Sequence, residues 1–145
     1  MTISPFLKSI FVAAALAACT TPPATTPQDN SFALSEGVDW VANNPEWGEK
    51  AEEVYALATD YVEEVASERP ANSWAVVLDI DETVLNNVDY QIRRERLGEG
   101  YTPESWSNWT AEKSATLVPG AKEFIERVNA LGGHVALVTN RADTQ

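Results

Sequence analysis

Two aspartates two positions apart offer the clearest chemistry in this sequence. Asp79 and Asp81 stand where the apolar run 74–78 gives way to a polar segment. Carboxylates without a positive partner at the end of a buried segment raise the free energy of the fold, so they usually bind a ligand or a metal. One carboxylate of such a pair can attack phosphorus as a nucleophile, while the other, kept partly protonated by its neighbour's charge, donates a proton to the leaving alkoxide. The pair therefore predicts phosphoryl transfer assisted by Mg²⁺.

Two apolar strands must bring these carboxylates to one edge of a sheet. The run 74–78 is continuous, apolar and partly β-branched, which is typical of a strand buried on both faces, and the run 134–138 has the same character. A helix opened by Pro119-Gly120 separates them. Strand, helix and strand predict a parallel sheet in an α/β fold, with a ligand site at the carboxyl ends of the strands. Thr139 and Asn140 follow the second strand, so we expect them in the site that holds the phosphoryl group.

Two further helices are predicted outside this unit. Apolar residues recur at spacings of three and four over 54–65, and Pro45 upstream suits the first turn of a helix. Thr102-Pro103 is likewise typical of a helix start, which places Trp106 and Trp109 three residues apart on one face. Packing is the ordinary role for Trp109.

Composition excludes several classes of function. The chain has 145 residues, which suits one domain, and 10 Lys+Arg against 22 Asp+Glu give a net charge of −12. Without a basic block we expect no binding to nucleic acid. With one cysteine, Cys19, and one histidine, neither an intrachain disulfide nor a Cys/His zinc site can form. A catalytic metal would therefore be held mainly by oxygen atoms.

The N-terminus predicts export and lipidation. Residues 1–18 combine one cation with an apolar run too short to span a bilayer, which is typical of a signal peptide. The run ends in Leu16-Ala17-Ala18-Cys19, which resembles the lipobox of bacterial lipoproteins, where the cysteine thiol carries the lipid. Residues 19–30 are rich in Thr and Pro and would tether a domain over 31–145. Position 20 is Thr rather than Asp, which by resemblance to bacterial lipoproteins favours sorting to the outer membrane over retention in the inner membrane. We therefore expect a lipid-anchored site that faces the periplasm or the cell exterior. An ordinary secretory signal with a chance cysteine is the alternative.

The segment 77–90, VLDIDETVLNNVDY, resembles the first signature of the class C bacterial acid phosphatases in the haloacid dehalogenase (HAD) superfamily. The outer-membrane lipoprotein 5′-nucleotidases are the most similar subgroup. The likeness continues through Ser105-Trp106, Trp109, Val118-Pro119-Gly120-Ala121, Phe124 and Val138-Thr139-Asn140-Arg141. It implies a HAD-like, Rossmann-type parallel sheet with helices on both faces.

The resemblance also implies a role for each matching residue. Asp79 would be the nucleophile and a Mg²⁺ ligand, while Asp81 would be the general acid and base and give its backbone carbonyl to the metal. Thr139 would hold the phosphoryl group with Asn140 beside it, and Trp106 would stack on the base of a nucleotide. The chain would thus belong to a Mg²⁺-dependent acid phosphatase or 5′-nucleotidase that forms an aspartyl-phosphate on Asp79. A homodimer is compatible with the same resemblance.

The sequence departs from the family pattern near its end. Neither a lysine nor a Gly-Asp-rich segment follows Thr139. We therefore expect a sheet truncated after the second core strand and a chain that is inactive as it stands. A non-catalytic surface lipoprotein or binding remnant is the alternative function. A dehalogenase that uses the same Asp79 on carbon is disfavoured, because it would not need Asp81.

Overall fold

The computed structural model describes residues 32–143 and 145. These residues form helices α1 Glu36–Asn43, α2 Pro45–Ala66, α3 Val88–Arg96, α4 Pro103–Glu112 and α5 Ala121–Ala130, and strands β1 Ala75–Asp79, β2 Leu85–Asn86, β3 Thr116–Leu117 and β4 His134–Val138. The predicted signal peptide, Cys19 and the whole of the tether lie outside the described residues. Among the residues described, no helix has both the length and the apolar character needed to cross a membrane.

The two predicted apolar strands pair in parallel. β1 and β4 run side by side from Ala75 opposite His134 to Asp79 opposite Val138, and α5 lies between them in sequence. A short antiparallel pair, β2 with β3, forms a second small sheet. The strand–helix–strand prediction is confirmed, and it brings the carboxyl ends of β1 and β4 to the same edge.

Helices α2 and α5 cover one face of the parallel sheet. The core under them is built on the buried residues Val62, Phe124 and Val128, against which residues of both strands pack. The opposite face is not covered in the described chain: Val77 is 65% exposed and Val138 is 60% exposed. The prediction that both strands are buried on both faces is therefore wrong for these residues. A continuous apolar run shows that a strand is compatible with burial on both faces, but what covers each face depends on distant elements.

The predicted helix over 54–65 is confirmed as part of α2, but its apolar stripe is only partly buried. Val62 lies in the core, whereas Val54, Leu57 and Tyr61 are each more than 60% exposed. Val54 and Tyr61, together with residues of β1 and α5, line an open apolar groove of about 560 Å³. Helical periodicity gives the face of a helix, but it does not decide how much of that face a neighbour covers.

Local sequence signals define where α4 and α5 begin. Pro103 occupies the first turn of α4, and Thr102 and Ser105 form a reciprocal capping box there. α5 begins after Gly120, whose φ of 86° lies in the left-handed region. A Cβ at this glycine would lie 2.8 Å from Cβ of Tyr55 on α2. Gly120 is therefore required both by its backbone angle and by the close approach of α2.

Candidate active site

The ends of β1 and β4 place the predicted nucleophile beside the predicted phosphate-binding residue. Asp79 is the last residue of β1 and is aligned with Val138, so Thr139 is the next residue along the neighbouring strand. Oγ1 of Thr139 accepts a hydrogen bond from the backbone N–H of Arg141 at 3.2 Å. The hydroxyl proton of Thr139 is thus left to donate to a further oxygen acceptor.

A tightly folded loop after β1 carries Asp81. The backbone N–H groups of Val84 and Leu85 both donate to the carbonyl of Ile80, and the N–H of Glu82 donates to the carbonyl of Leu85. Tyr55 of α2 donates its hydroxyl to the carbonyl of Thr83 at 2.6 Å. These bonds hold Glu82 at a φ of 58°, which a non-glycine residue adopts only when its surroundings enforce it. The loop therefore presents Asp81 on a constrained backbone.

The carboxylate of Asp81 forms an ion pair with Arg141. Nε of Arg141 lies 3.0 Å from Oδ2 of Asp81, and Nη2 lies 2.5 Å from Oδ1. Both side chains are largely shielded from solvent, with 11% of Arg141 and 16% of Asp81 exposed. The hydrogen bonds to Asp81 raise the pKa of Arg141, so the guanidinium stays charged. A fixed positive charge therefore lies at the strand ends of an acidic chain.

No sequence pattern assigned a role to Arg141 or to Asn87. Asn87 is fully buried, and its Nδ2 donates to Oδ1 of Asp81 at 2.8 Å and to Glu82 at 3.2 Å. Its Oδ1 accepts from Nε1 of Trp109 at 2.8 Å, and Trp109 is buried as predicted. Partial burial raises the pKa of the Glu82 carboxyl, although the hydrogen bond from Asn87 opposes that shift. The sequence signal that could have indicated Asn87 was the presence of an amide side chain within the motif itself, six residues after Asp81.

Trp106 stands in an aromatic cluster beside Asp81. Its ring meets Tyr90 edge-on at 5.0 Å between centroids and Tyr101 at 6.4 Å, and the guanidinium of Arg141 lies 5.3 Å from its centroid. A cavity of about 310 Å³ is lined by Trp106, both tyrosines, Asp81 and Asn140, among others. The structure thus brings three of the predicted site residues to one cavity, whereas Asp79 and Thr139 are not among its lining residues.

The oxygen atoms at the strand ends suit a hard divalent cation. The carboxylate of Asp79 and the backbone carbonyl of Asp81 are oxygen donors, while the side chain of Asp81 is engaged by Arg141. Over residues 32–143 and 145, no group of three or more His, Cys, Asp or Glu side chains converges as metal ligands. Mg²⁺ in proteins is commonly bound by one or two carboxylates and completes its shell with water and substrate phosphate. This donor set fits such partial coordination.

The fold and the two motifs at the strand ends are typical of the HAD superfamily. Residues 13–145 match the sequence model of the family described as HAD superfamily, subfamily IIIB (Acid phosphatase), and the chain belongs to that family. Phosphatases of this superfamily generally use a divalent metal. The predicted resemblance is therefore confirmed at the level of the family.

Solved structures agree with this assignment. The chain is similar to the class C acid phosphatase from Bacillus anthracis, with 25% sequence identity and a TM-score of 0.69. A second structure of that enzyme, with tungstate bound, gives the same identity and a TM-score of 0.68. Both matches cover 73% of this chain and 44% of the relative, so this chain spans less than half the length of those proteins. The HAD-like α/β fold is confirmed.

Proposed function

We propose that the full-length protein is a phosphomonoesterase that works through an aspartyl-phosphate on Asp79. The observation that carries this proposal is the juxtaposition at the ends of β1 and β4: Asp79 borders Thr139, and Asp81 is held by a cation on the adjacent loop. An oxygen of Asp79 would attack phosphorus as the ester P–O bond breaks. Asp81 would give its proton to the departing alkoxide and then take one from the water that hydrolyses the aspartyl-phosphate.

Mg²⁺ is the ion that we propose for this site. Asp79 and the carbonyl of Asp81 would hold it, and the bound ion would offset the repulsion between the carboxylates and the phosphate. Thr139 and Asn140 would donate hydrogen bonds to the phosphoryl oxygens. All four residues lie at or next to the ends of β1 and β4.

Nucleoside 5′-monophosphates and similar monoesters are the proposed substrates. The cavity next to Asp81 is of a size that admits a small ligand, and the rings of Trp106, Tyr90 and Tyr101 supply much of its wall. A flat base could stack on Trp106, because every base offers a π-face. The tungstate in the relative from Bacillus anthracis, a tetrahedral oxyanion like phosphate, supports binding of a phosphoryl group in this fold.

Hydrolysis of p-nitrophenyl phosphate and of a nucleoside 5′-monophosphate by the full-length protein tests the proposal. We expect Mg²⁺-dependent turnover that Asp79→Asn abolishes, while Asp60→Asn on the exposed side of α2 serves as a matched control and keeps it. Trp106→Ala should raise KM for the nucleotide and leave KM for p-nitrophenyl phosphate nearly unchanged. Turnover that survives Asp79→Asn would refute the mechanism, and a wild-type protein without turnover would favour a non-catalytic lipoprotein.

Lipid attachment to Cys19 and an outer-membrane location are also proposed. They are supported by the sequence pattern of residues 1–19, which matches an export signal that ends in a lipobox. Labelling of cells with a radioactive fatty acid should mark the wild-type protein and not Cys19→Ser. Release of an unlabelled wild-type protein into the periplasm would indicate an ordinary secretory signal.

A further inference from the structure

Asn87 connects the loop that bears Asp81 to helix α4. The side chain is fully buried, and each end of its amide has a hydrogen-bonding partner. Nδ2 donates to the carboxylates of Asp81 and Glu82, and Oδ1 accepts from the indole N–H of Trp109. A buried amide satisfied on both sides holds its position firmly, since any rotation would leave polar atoms unpaired.

Trp109 determines which way this amide faces. An indole nitrogen can only donate a hydrogen bond, so it must meet the oxygen end of the amide. The nitrogen end of Asn87 is then directed at Asp81 and Glu82, which as carboxylates can only accept. The reverse orientation would set the amide oxygen against two carboxylates and the amide N–H against an indole N–H. An indole donor on one side and two carboxylate acceptors on the other are therefore compatible with only one orientation of the Asn87 amide.

The two oxygens of Asp81 are consequently unequal. Oδ1 accepts from Nδ2 of Asn87, from Nη2 of Arg141 and, at 3.2 Å, from Nε of Arg141, whereas Oδ2 accepts from Nε of Arg141 alone. A carboxylate oxygen has about two lone-pair sites, so Oδ1 is saturated and Oδ2 retains one. Asn87 thus fixes the rotation of the Asp81 carboxylate and leaves Oδ2 as the oxygen with an unused lone-pair site.

We propose that Asn87 is a positioning residue that orients the acid–base carboxylate of Asp81, and that Trp109 sets the direction in which Asn87 acts. This inference rests on the proposed function, because it assigns Asn87 to the proton-transfer step of that reaction. Asn87 acts through Asp81 and does not contact the phosphoryl group. Its removal should lower kcat and leave KM nearly unchanged.

Kinetics of two variants of the full-length protein test the catalytic part. Asn87→Asp preserves the shape and the acceptor for Trp109 but loses the donor to Asp81, and we expect kcat to fall about 10- to 100-fold, as for other residues that orient a catalytic group. Trp109→Phe keeps a ring in the core but removes the indole N–H, and we expect a fall of about two- to tenfold. Asn129→Asp on α5 and Trp40→Phe on α1 are the matched controls.

If Asn87 acts through Asp81, its effect on kcat must depend on the Asp81 carboxylate, which a merely structural role would not require. In an Asp81→Asn background the residual kcat should be insensitive to Trp109→Phe, because the carboxylate that Asn87 orients is gone. A structural weakening of α4 would lower kcat by the same factor in both backgrounds. Equal losses in the two backgrounds, or a change in KM alone, would overturn the proposal.

A spectroscopic measurement tests the orientation without any turnover. The chain has five tryptophans, so loss of one indole N–H signal in Trp109→Phe assigns that of Trp109. Asp81→Asn should shift this signal, because the change is transmitted through Asn87, and Trp40→Phe should leave it in place. An unmoved signal would contradict the chain of hydrogen bonds. If the wild type hydrolyses no monoester, the proposed function fails, whereas this signal still decides whether Asn87 orients Asp81.

Discussion

Replacement of Arg141 by methionine tests the electrostatics of the site most sharply. Methionine keeps an apolar stem of similar length and removes the charge and all three hydrogen bonds to Asp81. Loss of one partner of a fully buried ion pair costs about 3–5 kcal/mol, whereas exposed pairs contribute about 1 kcal/mol or less. Since 11% of Arg141 and 16% of Asp81 remain exposed, we expect an intermediate cost of about 2–3 kcal/mol in the free energy of unfolding.

A double-mutant cycle separates this ion pair from other contacts of Arg141. Arg141 also lies over the ring of Trp106, a contact of about 0.5–1 kcal/mol at partly exposed sites. Urea unfolding of the wild type, Arg141→Met, Asp81→Asn and the double variant should give a coupling energy of about 1–2 kcal/mol, with Arg141→Met much less costly once Asp81 is neutral. A coupling energy near zero would refute the assignment of Arg141 as the partner of Asp81.

Two further predictions concern the framework of the site. Gly120→Ala should lower the free energy of unfolding by about 2 kcal/mol or more, because it combines a left-handed backbone with a clash against Tyr55. Gly98→Ala has a φ of 66° but open space around the new Cβ, so it should lower the free energy of unfolding only by the backbone cost of about 1 kcal/mol. Equal unfolding midpoints for the two variants would contradict this. Hydrogen bonds from Ser35 lower the pKa of the exposed Glu95, so its contribution to stability is present above about pH 4.5 and is lost as the pH falls through the lowered pKa. Glu95→Gln should therefore be less stable than the wild type near neutral pH and match it in acid, and a difference in urea midpoint that is constant with pH would rule this out.

The sequence predicted the frame of the site because that frame depends on local patterns. Two apolar runs separated by an amphipathic helix were sufficient for the parallel pairing of β1 with β4, and Thr102-Pro103 was sufficient for the start of α4. Helix α1, Glu36–Asn43, was missed, because it is short and its cap residue Ser35 makes no side-chain hydrogen bond to the helix. Local signals thus located the site but did not describe its surroundings.

The partners of Asp81 could not be read from the sequence. Arg141 lies 60 residues away along the chain, and its contact with Asp81 exists only because the two strand ends meet. Asn87 was visible within the motif, but its role depends on a tryptophan that a separate helix brings to it. The exposure of Val77 likewise depends on which elements cover the sheet. Which side chains pair at long range is decided by tertiary geometry, and the spacing of residues along the chain does not reveal that geometry.

Chemical capture of the phosphorylated enzyme tests the central claim most directly. The full-length protein would be mixed with a phosphate monoester, quenched in acid within the first turnover and digested for mass spectrometry. We predict a phosphoryl group on the peptide that contains Asp79, removed by hydroxylamine as expected of an acyl phosphate and absent from Asp79→Asn. Turnover without any adduct on Asp79, or an adduct on another residue, would contradict the account.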